Sequence, residues 1–170
     1  MKWSKTEVLR SAGETLAFNE EISFAPSTFE GNDRLRRLEN IHVSGIGNMD
    51  LNSHRFVVHL NISGDMIVPC AITLEEITVP FSTEADEVFA FEKVENEDAI
   101  EVKGEQVELM QSVFQLIMME VPLKVVKPGL KDYPKGQGWE VLTEAEYEHQ
   151  KQHKIDPRLA KLKDYKPKDE

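Results

Sequence analysis

Very few side chains in this sequence could carry out chemistry, and Cys70 is the first to consider because it is the single cysteine. A cysteine nucleophile needs a neighbouring base, and no histidine is spaced from Cys70 in a recognisable catalytic pattern. Cys70 instead alternates with Met66 and Val68, which places the three side chains on one face of an extended strand. The alternation therefore predicts a small buried side chain at Cys70 rather than a catalytic thiol.

His149 and His153 are the second candidates, because a spacing of four residues is common among metal ligands on one face of a helix. A third ligand would have to come from Glu146 or beyond, and this segment has almost no apolar residues to hold a site rigid. We favour a chance spacing in a polar helix over a metal site. His54 and His59 lie on the polar side of a predicted strand and need no chemical function.

Motifs for the common enzyme classes are missing from the sequence. It contains no phosphate-binding loop, no dinucleotide fingerprint, no Ser-His-Asp arrangement and no calcium-binding loop. We therefore expect a protein that is not an enzyme, with no cofactor and no small-molecule substrate. No signal peptide is evident, and no apolar run approaches the roughly 18 residues of a membrane span. We expect a cytoplasmic location and no membrane partner.

The net charge of −11 is concentrated in the middle of the chain. Residues 75–120 contain thirteen acidic and two basic side chains, whereas residues 151–168 contain seven Lys or Arg and two Asp. An acidic body disfavours non-specific nucleic-acid binding, which depends on neutralising phosphates. The basic end could still contact RNA, and the alternative is that both runs are solvated surface.

Alternating apolar residues predict the strands. The alternation over residues 56–62 is followed by Ser63-Gly64-Asp65, which predicts a short turn, a hairpin and then a kink near Pro69. A second turn is predicted at residues 82–86. Within residues 34–48 the alternation slips at Ser44-Gly45-Ile46-Gly47, which predicts a β-bulge. The alternative at these glycines is close approach of the backbone to a ligand.

Two helices are predicted in the first part of the chain. Ser4 and Glu7 form a capping-box pattern, which predicts a short helix from Lys5 to about Ser11. Apolar residues from Val107 to Val121 recur at helical spacing over a wide arc, which predicts a helix packed against a sheet. The alternative for its methionines is an adaptable binding surface.

Together these elements predict an α+β fold, with a mostly antiparallel sheet of about six or seven strands and one buried helix. The sheet is expected to be bent or barrel-like. Residues 1–123 form a single domain in this prediction. Residues 124–170 form a polar, weakly structured C-terminal tail, which ends in a short helix that begins at Asp156 and Pro157.

A resemblance to a known family rests on three stretches in a fixed order. The first is a core motif made up of Gly64, Pro69, Cys70, Leu74, Glu75 and Pro80. A helix exit at residues 119–123 and a closing motif at residues 155–162 follow it. In this order the stretches resemble the YceD family of bacterial proteins. Many relatives also carry a cysteine cluster, similar to a structural zinc site, just before the closing motif, and because this chain lacks it we expect no zinc.

The resemblance implies a role in ribosome biogenesis. Members of the family are associated with accumulation of large-subunit ribosomal RNA, and their genes commonly neighbour one for a large-subunit ribosomal protein. The implied partner is a ribosomal protein or a precursor particle, and an acidic domain suits a basic ribosomal protein. The alternative is direct binding of ribosomal RNA by the basic segment at residues 151–168. A redox or metal sensor is a third class, which the missing cysteines disfavour.

The closing motif is expected to bind the partner. Arg158 presents a planar fork that can bind a phosphate or a carboxylate, which a lysine cannot reproduce. Because a helix start in this region has little core to stabilise, we expect the motif to act through contacts outside the chain. The expected partner-binding residues are Asp156, Pro157, Arg158, Leu159, Lys161, Leu162 and Lys163.

Overall fold

The computed structural model describes residues 1–93, 99–130 and 133–153. Two compact units divide the chain, Met1–Lys127 and Pro128–Glu170. In chain order, the described elements of the first unit are β1 (Lys2–Ser4), α1 (Lys5–Arg10), β2 (Thr15–Ile22), a 3-10 helix (Pro26–Phe29), β3 (Arg37–Asp50), β4 (Arg55–Pro69), β5 (Glu76–Ala90), β6 (Ile100–Glu101), β7 (Gln106–Glu108) and α2 (Met110–Glu120).

The first unit is built on a five-stranded sheet with the strand order β2-β3-β4-β5-β6. All neighbouring strands in it are antiparallel except β5 and β6, which run parallel. β1 and β7 form a separate antiparallel pair. The predicted α+β class with a mostly antiparallel sheet is confirmed. The sheet is open rather than closed into a barrel, because β2 and β6 do not pair with each other in the described residues.

One face of the sheet, here called the inner face, carries the hydrophobic core. Alternate side chains of β4 point into this core, since successive residues of a strand face opposite sides. The buried β4 side chains on the inner face are Phe56, Val58, Leu60, Ile62, Met66 and Val68. Val8 of α1 and Val113 and Ile117 of α2 pack against the same core. Full burial of each large apolar side chain stabilises the fold by about 1.5–3 kcal/mol.

The predicted turn at Ser63-Gly64-Asp65 is wrong, because β4 continues through it to Pro69. Gly64 pairs with Phe81 of β5 and lies beside Ile41 of β3. A Cβ atom at Gly64 would overlap the Ile41 side chain, so the glycine provides clearance between strands rather than a change of direction. The predicted turn at residues 82–86 is wrong for a similar reason, since β5 is one continuous strand.

The predicted bulge at residues 44–47 is also wrong in position. The register between β3 and β4 shifts between Glu39 and His42, where Asn40 has a φ of 54°. Asparagine tolerates this left-handed conformation better than most residues, because its short polar side chain bonds locally. Gly45 instead provides clearance for its neighbours, since its Cβ would overlap the His59 carbonyl oxygen of β4 and would lie 2.7 Å from Cζ of Phe18.

The start of α1 is set by a side-chain cap, and the start of α2 by the pairing of β7 with β1. The Ser4 hydroxyl accepts a hydrogen bond from the Glu7 N–H at 3.1 Å, and α1 is confirmed where the capping box predicts it. α2 begins later than predicted, because Val107 lies in β7, opposite Trp3 of β1. Val107 is buried there, and a β-branched side chain suits a short strand better than the first turn of a helix.

The second unit contains β8 (Lys135–Gly136), β9 (Trp139–Glu140) and α3 (Glu144–His153). β8 and β9 pair antiparallel, so this part of the predicted tail contains a short hairpin. Gly138 supplies the turn with a φ of 83°, which glycine adopts at little cost. None of the described helices has the length and apolar character that a membrane crossing requires.

We expect a chain that ends at Lys127 to fold, because residues 128–170 belong to the other compact unit. Its free energy of unfolding in urea should fall below that of the full chain by no more than a few kcal/mol. A chain that ends at Leu123 is the matched control, and it should be less stable still. It loses Val125, whose carbonyl accepts a hydrogen bond from the Ala71 N–H at 2.8 Å. Failure of the Lys127 chain to fold would contradict this division.

Candidate partner-binding surface

The loop between β4 and β5 is closed tightly by its own backbone. The Cys70 N–H donates to the Glu75 carbonyl at 2.8 Å, and the Leu74 N–H donates to the Cys70 carbonyl at 3.0 Å. Leu74 adopts a φ of 62°, which costs an L-residue other than glycine about 1–2 kcal/mol. The Leu74 side chain is nevertheless 70% exposed. A strained backbone therefore holds a large apolar side chain out towards solvent, which points to a contact made there.

The segment after α2 returns to this loop and pairs with it. Val125 forms an isolated parallel bridge with Cys70. The Lys127 N–H donates to Cys70 Sγ at 3.4 Å, and Lys127 Nζ lies 2.7 Å from Oε2 of Glu75. Residues 70–75 and 122–127 thus form one connected structure, here called the junction.

Cys70 lies at the centre of the junction and is fully buried, as the alternation predicts. Its Sγ accepts a second hydrogen bond, from the Thr73 N–H at 3.5 Å. Hydrogen bonds from the Thr73 side chain and backbone, followed by those from the backbones of Ile72 and Lys127, lower the pKa of Cys70 to about 6. Because the sulfur is an acceptor without solvent access, its role is to hold two chain segments together.

The junction borders a small groove of about 130 Å³. Leu74 and Leu123 both line the groove. Leu123 is 79% exposed. Large apolar side chains held in solvent around a groove are typical of a protein contact surface. We call Leu74 and Leu123 the apolar rim.

The outer face of the main sheet, opposite the core, is polar and mostly acidic. The outward-facing acids are Glu21, Glu39, Asp50, Asp65, Glu76, Glu84 and Asp86, and the outward-facing bases are Arg37 and Arg55. Arg37 already lies 2.6 Å from Glu39 and 2.7 Å from Glu76. His59 contacts Asp86 across β4 and β5. The remaining acids give this face a negative field that suits a basic partner.

The core motif is only partly brought together. Cys70, Leu74 and Glu75 lie in the junction and Pro69 directly precedes it, whereas Gly64 and Pro80 lie further along the paired strands β4 and β5. The residues expected to bind a partner in the tail, Asp156 to Lys163, lie outside the described residues. His149 and His153 both fall in α3, and no cluster of three or more metal-binding side chains occurs in the described part of the chain.

Lys127 and Thr73 are the residues of the candidate site that the sequence did not indicate. Both act on Cys70 through backbone N–H groups, which any residue except proline carries. The paired valines at residues 125 and 126 were a usable signal, because adjacent β-branched residues favour an extended conformation. They would have extended the first domain past residue 123.

Comparison with known proteins gives one family and one relative. The family model described as "Large ribosomal RNA subunit accumulation protein YceD" matches residues 58–166. The matched range begins in β4 and includes the junction, β5 and the closing motif. The chain is also similar to the uncharacterized protein YlbN of Bacillus subtilis (strain 168), with 26% identity over 169 residues, covering 95% of this chain and 94% of that protein. No solved structure matches.

Replacing Cys70 with alanine should lower the free energy of unfolding, because two N–H groups lose their acceptor. The pKa of the thiol is about 6 in the folded chain against an ordinary value of 9.0, so the thiolate stabilises the folded state. This contribution is complete above pH 9.0 and is lost as the pH falls through about 6. The stability difference between wild type and Cys70→Ala should therefore widen as the pH rises across that window.

Urea unfolding at a series of pH values measures this difference. Cys70→Ser is the matched control, because its hydroxyl keeps an acceptor oxygen but does not titrate in this range. The difference between wild type and Cys70→Ser should show the same pH dependence as that for alanine. A stability difference that is independent of pH for both variants contradicts the presence of a stabilising thiolate at Cys70.

Proposed function

The chain belongs to the YceD family of large ribosomal RNA subunit accumulation proteins, and from this we propose that it acts in biogenesis of the large ribosomal subunit. We infer a non-enzymatic factor that binds a ribosomal protein or a precursor particle. Its presence would support accumulation of the large-subunit ribosomal RNA. The described residues support a binding role, because their exposed features are an apolar rim and an acidic sheet face.

The acidic outer face is the observation that carries the choice of partner. The net charge of the chain is −11, and acids predominate on the exposed face of the sheet. Such a face repels the phosphates of RNA and attracts a basic protein. Ribosomal proteins are basic, since they bind ribosomal RNA. We therefore propose a ribosomal protein as the direct partner.

The apolar rim would supply the remaining part of the contact. Charged groups mainly increase the association rate and select the partner, whereas buried apolar anchors slow dissociation. Leu74 and Leu123 are large, exposed and held by the hydrogen-bonded junction, so they would need little ordering on binding. The two leucines of the apolar rim would then lie at the centre of the interface, with polar residues around them.

Direct binding of ribosomal RNA is the second candidate. It is favoured by the seven Lys or Arg against two Asp in residues 151–168. Binding to RNA through this segment would weaken steeply with salt, because neutralised phosphates release counterions. Binding to a protein through the apolar rim would weaken much less. Titration of each partner at several salt concentrations separates the two hypotheses.

The proposed function is tested by depleting the protein from cells and measuring large-subunit against small-subunit ribosomal RNA. We expect a selective loss of the large-subunit RNA. When the full chain is used to capture partners from cell extract, ribosomal proteins should stay bound to it after nuclease has removed the RNA. An unchanged RNA ratio would overturn the proposed function, and loss of all captured ribosomal proteins after nuclease would favour RNA binding.

Leu74→Gly should separate stability from binding. Glycine adopts the left-handed backbone without strain but loses entropy on folding, so the free energy of unfolding should stay within about 1 kcal/mol of wild type. Capture of ribosomal proteins should weaken, because the exposed side chain is gone. Leu51→Gly is a control for loss of another exposed leucine, 55% exposed, away from the junction. If Leu74→Gly and wild type captured equal amounts of ribosomal proteins, the apolar rim would not be part of the interface.

Arg158→Ala tests the closing motif. We expect the melting temperature to stay nearly unchanged, while association with a ribosomal protein or ribosomal RNA weakens. Lys161→Ala removes a neighbouring charge without the planar fork, so it should weaken association less. A lower melting temperature with unchanged association would instead make Arg158 an internal partner of the acidic residues.

A further inference from the structure

Strand β5 is paired along its whole length on one side only. Its pairing with β4 runs from Glu76 to Ala90 without interruption. On its other side β6 pairs only with Phe89 and Ala90. Among the described residues, no strand pairs with this second side of β5 between Glu76 and Val88. Such a side presents a row of backbone groups that can bind another strand.

Two hydrogen bonds show which residues direct their backbone groups to this side. The Ala90 carbonyl accepts from the Val102 N–H at 2.9 Å, on the β6 side, whereas the Phe91 N–H donates to His54 at 3.3 Å, on the β4 side. The N–H and C=O of one strand residue point the same way, and those of its neighbours point the opposite way. The residues directed to the open side are therefore Glu76, Thr78, Pro80, Ser82, Glu84, Asp86 and Val88.

Pro80 divides this side into two halves. Proline has no N–H to donate, and in sheets it is found where that N–H would face solvent. A proline at an edge blocks pairing with another strand. Residues 76–80 are thus protected, while Ser82, Glu84 and Asp86 keep complete donor and acceptor sets. Val88 keeps its N–H, because its carbonyl faces Ile100 of β6 in the parallel register. We call residues 82–88 the free edge.

The charged side chains of the free edge are all negative. β5 contains no Lys or Arg, and Glu84 and Asp86 are exposed on its outer face. On the inner side, the Thr83 hydroxyl donates to Glu120 of α2 at 3.0 Å, which brings a further acid to this region. A second copy of this chain is disfavoured as the occupant, because two such edges would place like charges opposite each other. A strand with Lys or Arg at alternate positions fits.

We propose that the free edge binds an extended, Lys/Arg-rich segment of a basic protein as an additional strand of the sheet. Backbone hydrogen bonds would provide the affinity, and alternate basic side chains would pair with Glu84 and Asp86. The identification of that protein as a ribosomal protein rests on the proposed function. The edge pairing itself follows from the strand order, the backbone directions and the charge.

Glu84→Pro in the full chain tests the pairing. It removes an outward N–H, as Pro80 does naturally, and leaves the bonds of Thr83 and Ala85 to β4 in place. The probe is a synthetic peptide of about ten alternating Lys and Val residues, the length of an ordinary strand or longer. We expect the peptide to protect the amides of Ser82, Glu84, Asp86 and Val88 from hydrogen exchange in wild type. Its affinity for Glu84→Pro should fall about tenfold or more.

Glu84→Gln is the matched control, because it removes the charge and keeps the N–H. Its affinity for the peptide should fall less than that of Glu84→Pro. If Glu84→Pro does not fold, the exchange pattern of wild type decides, since a strand on the free edge protects alternate amides only. A gain in protection that is equal at even and odd residues, or no gain at these four amides, overturns the proposal, as does equal affinity of Glu84→Pro and wild type.

Capture from cell extract separates this proposal from the proposed function. If Glu84→Pro retains ribosomal proteins as wild type does, the free edge is not their binding site and the proposed function stands. If wild type captures none and the ribosomal RNA ratio is unchanged on depletion, the proposed function fails. The peptide experiment still decides the edge pairing in that case.

Discussion

The uninterrupted antiparallel pairing of β4 with β5 is the constraint on which the rest of the structure depends. Because side chains alternate along both strands, this register determines which residues enter the core and which form the acidic outer face. A slip of one residue would place Phe56 and Leu60 in solvent. The same pairing ends at Pro69 and Glu76, so it also positions the junction. The candidate binding surface is therefore a direct consequence of the strand register.

The alternation of apolar residues predicts the fold class, and the capping box predicts the start of α1. Neither pattern predicts that β4 and β5 continue without a turn. Glycine was interpreted as a turn at Gly64 and as a bulge at Gly45, since local chemistry favours both. In the structure these glycines make room for Ile41 and Phe18, which belong to neighbouring strands. Clearance of this kind depends on residues distant in sequence, so no local pattern could reveal it.

The candidate site was predictable to a similar extent. The buried position of Cys70 followed from alternation, whereas its bond to Lys127 joins residues far apart in the chain. The contact forms because the segment after α2 returns to the loop between β4 and β5. The direction of this segment depends on how α2 packs in the first unit, which local sequence does not show. The exposure of Leu74 was equally hidden, because the sequence shows an apolar residue but not a left-handed backbone.

The acids beside the free edge have a second effect, on the behaviour of the protein in concentrated solution. An open strand edge is a liability for self-association, and Pro80 with Glu84 and Asp86 opposes it by steric and electrostatic means. A basic partner bound as proposed would cover the edge and take over this protective role. The colloidal stability of the unbound protein would then depend on these groups, since nothing else blocks the edge in the described residues. Removing Pro80, Glu84 and Asp86 together would therefore be expected to turn a dispersed protein into one that gathers into larger assemblies.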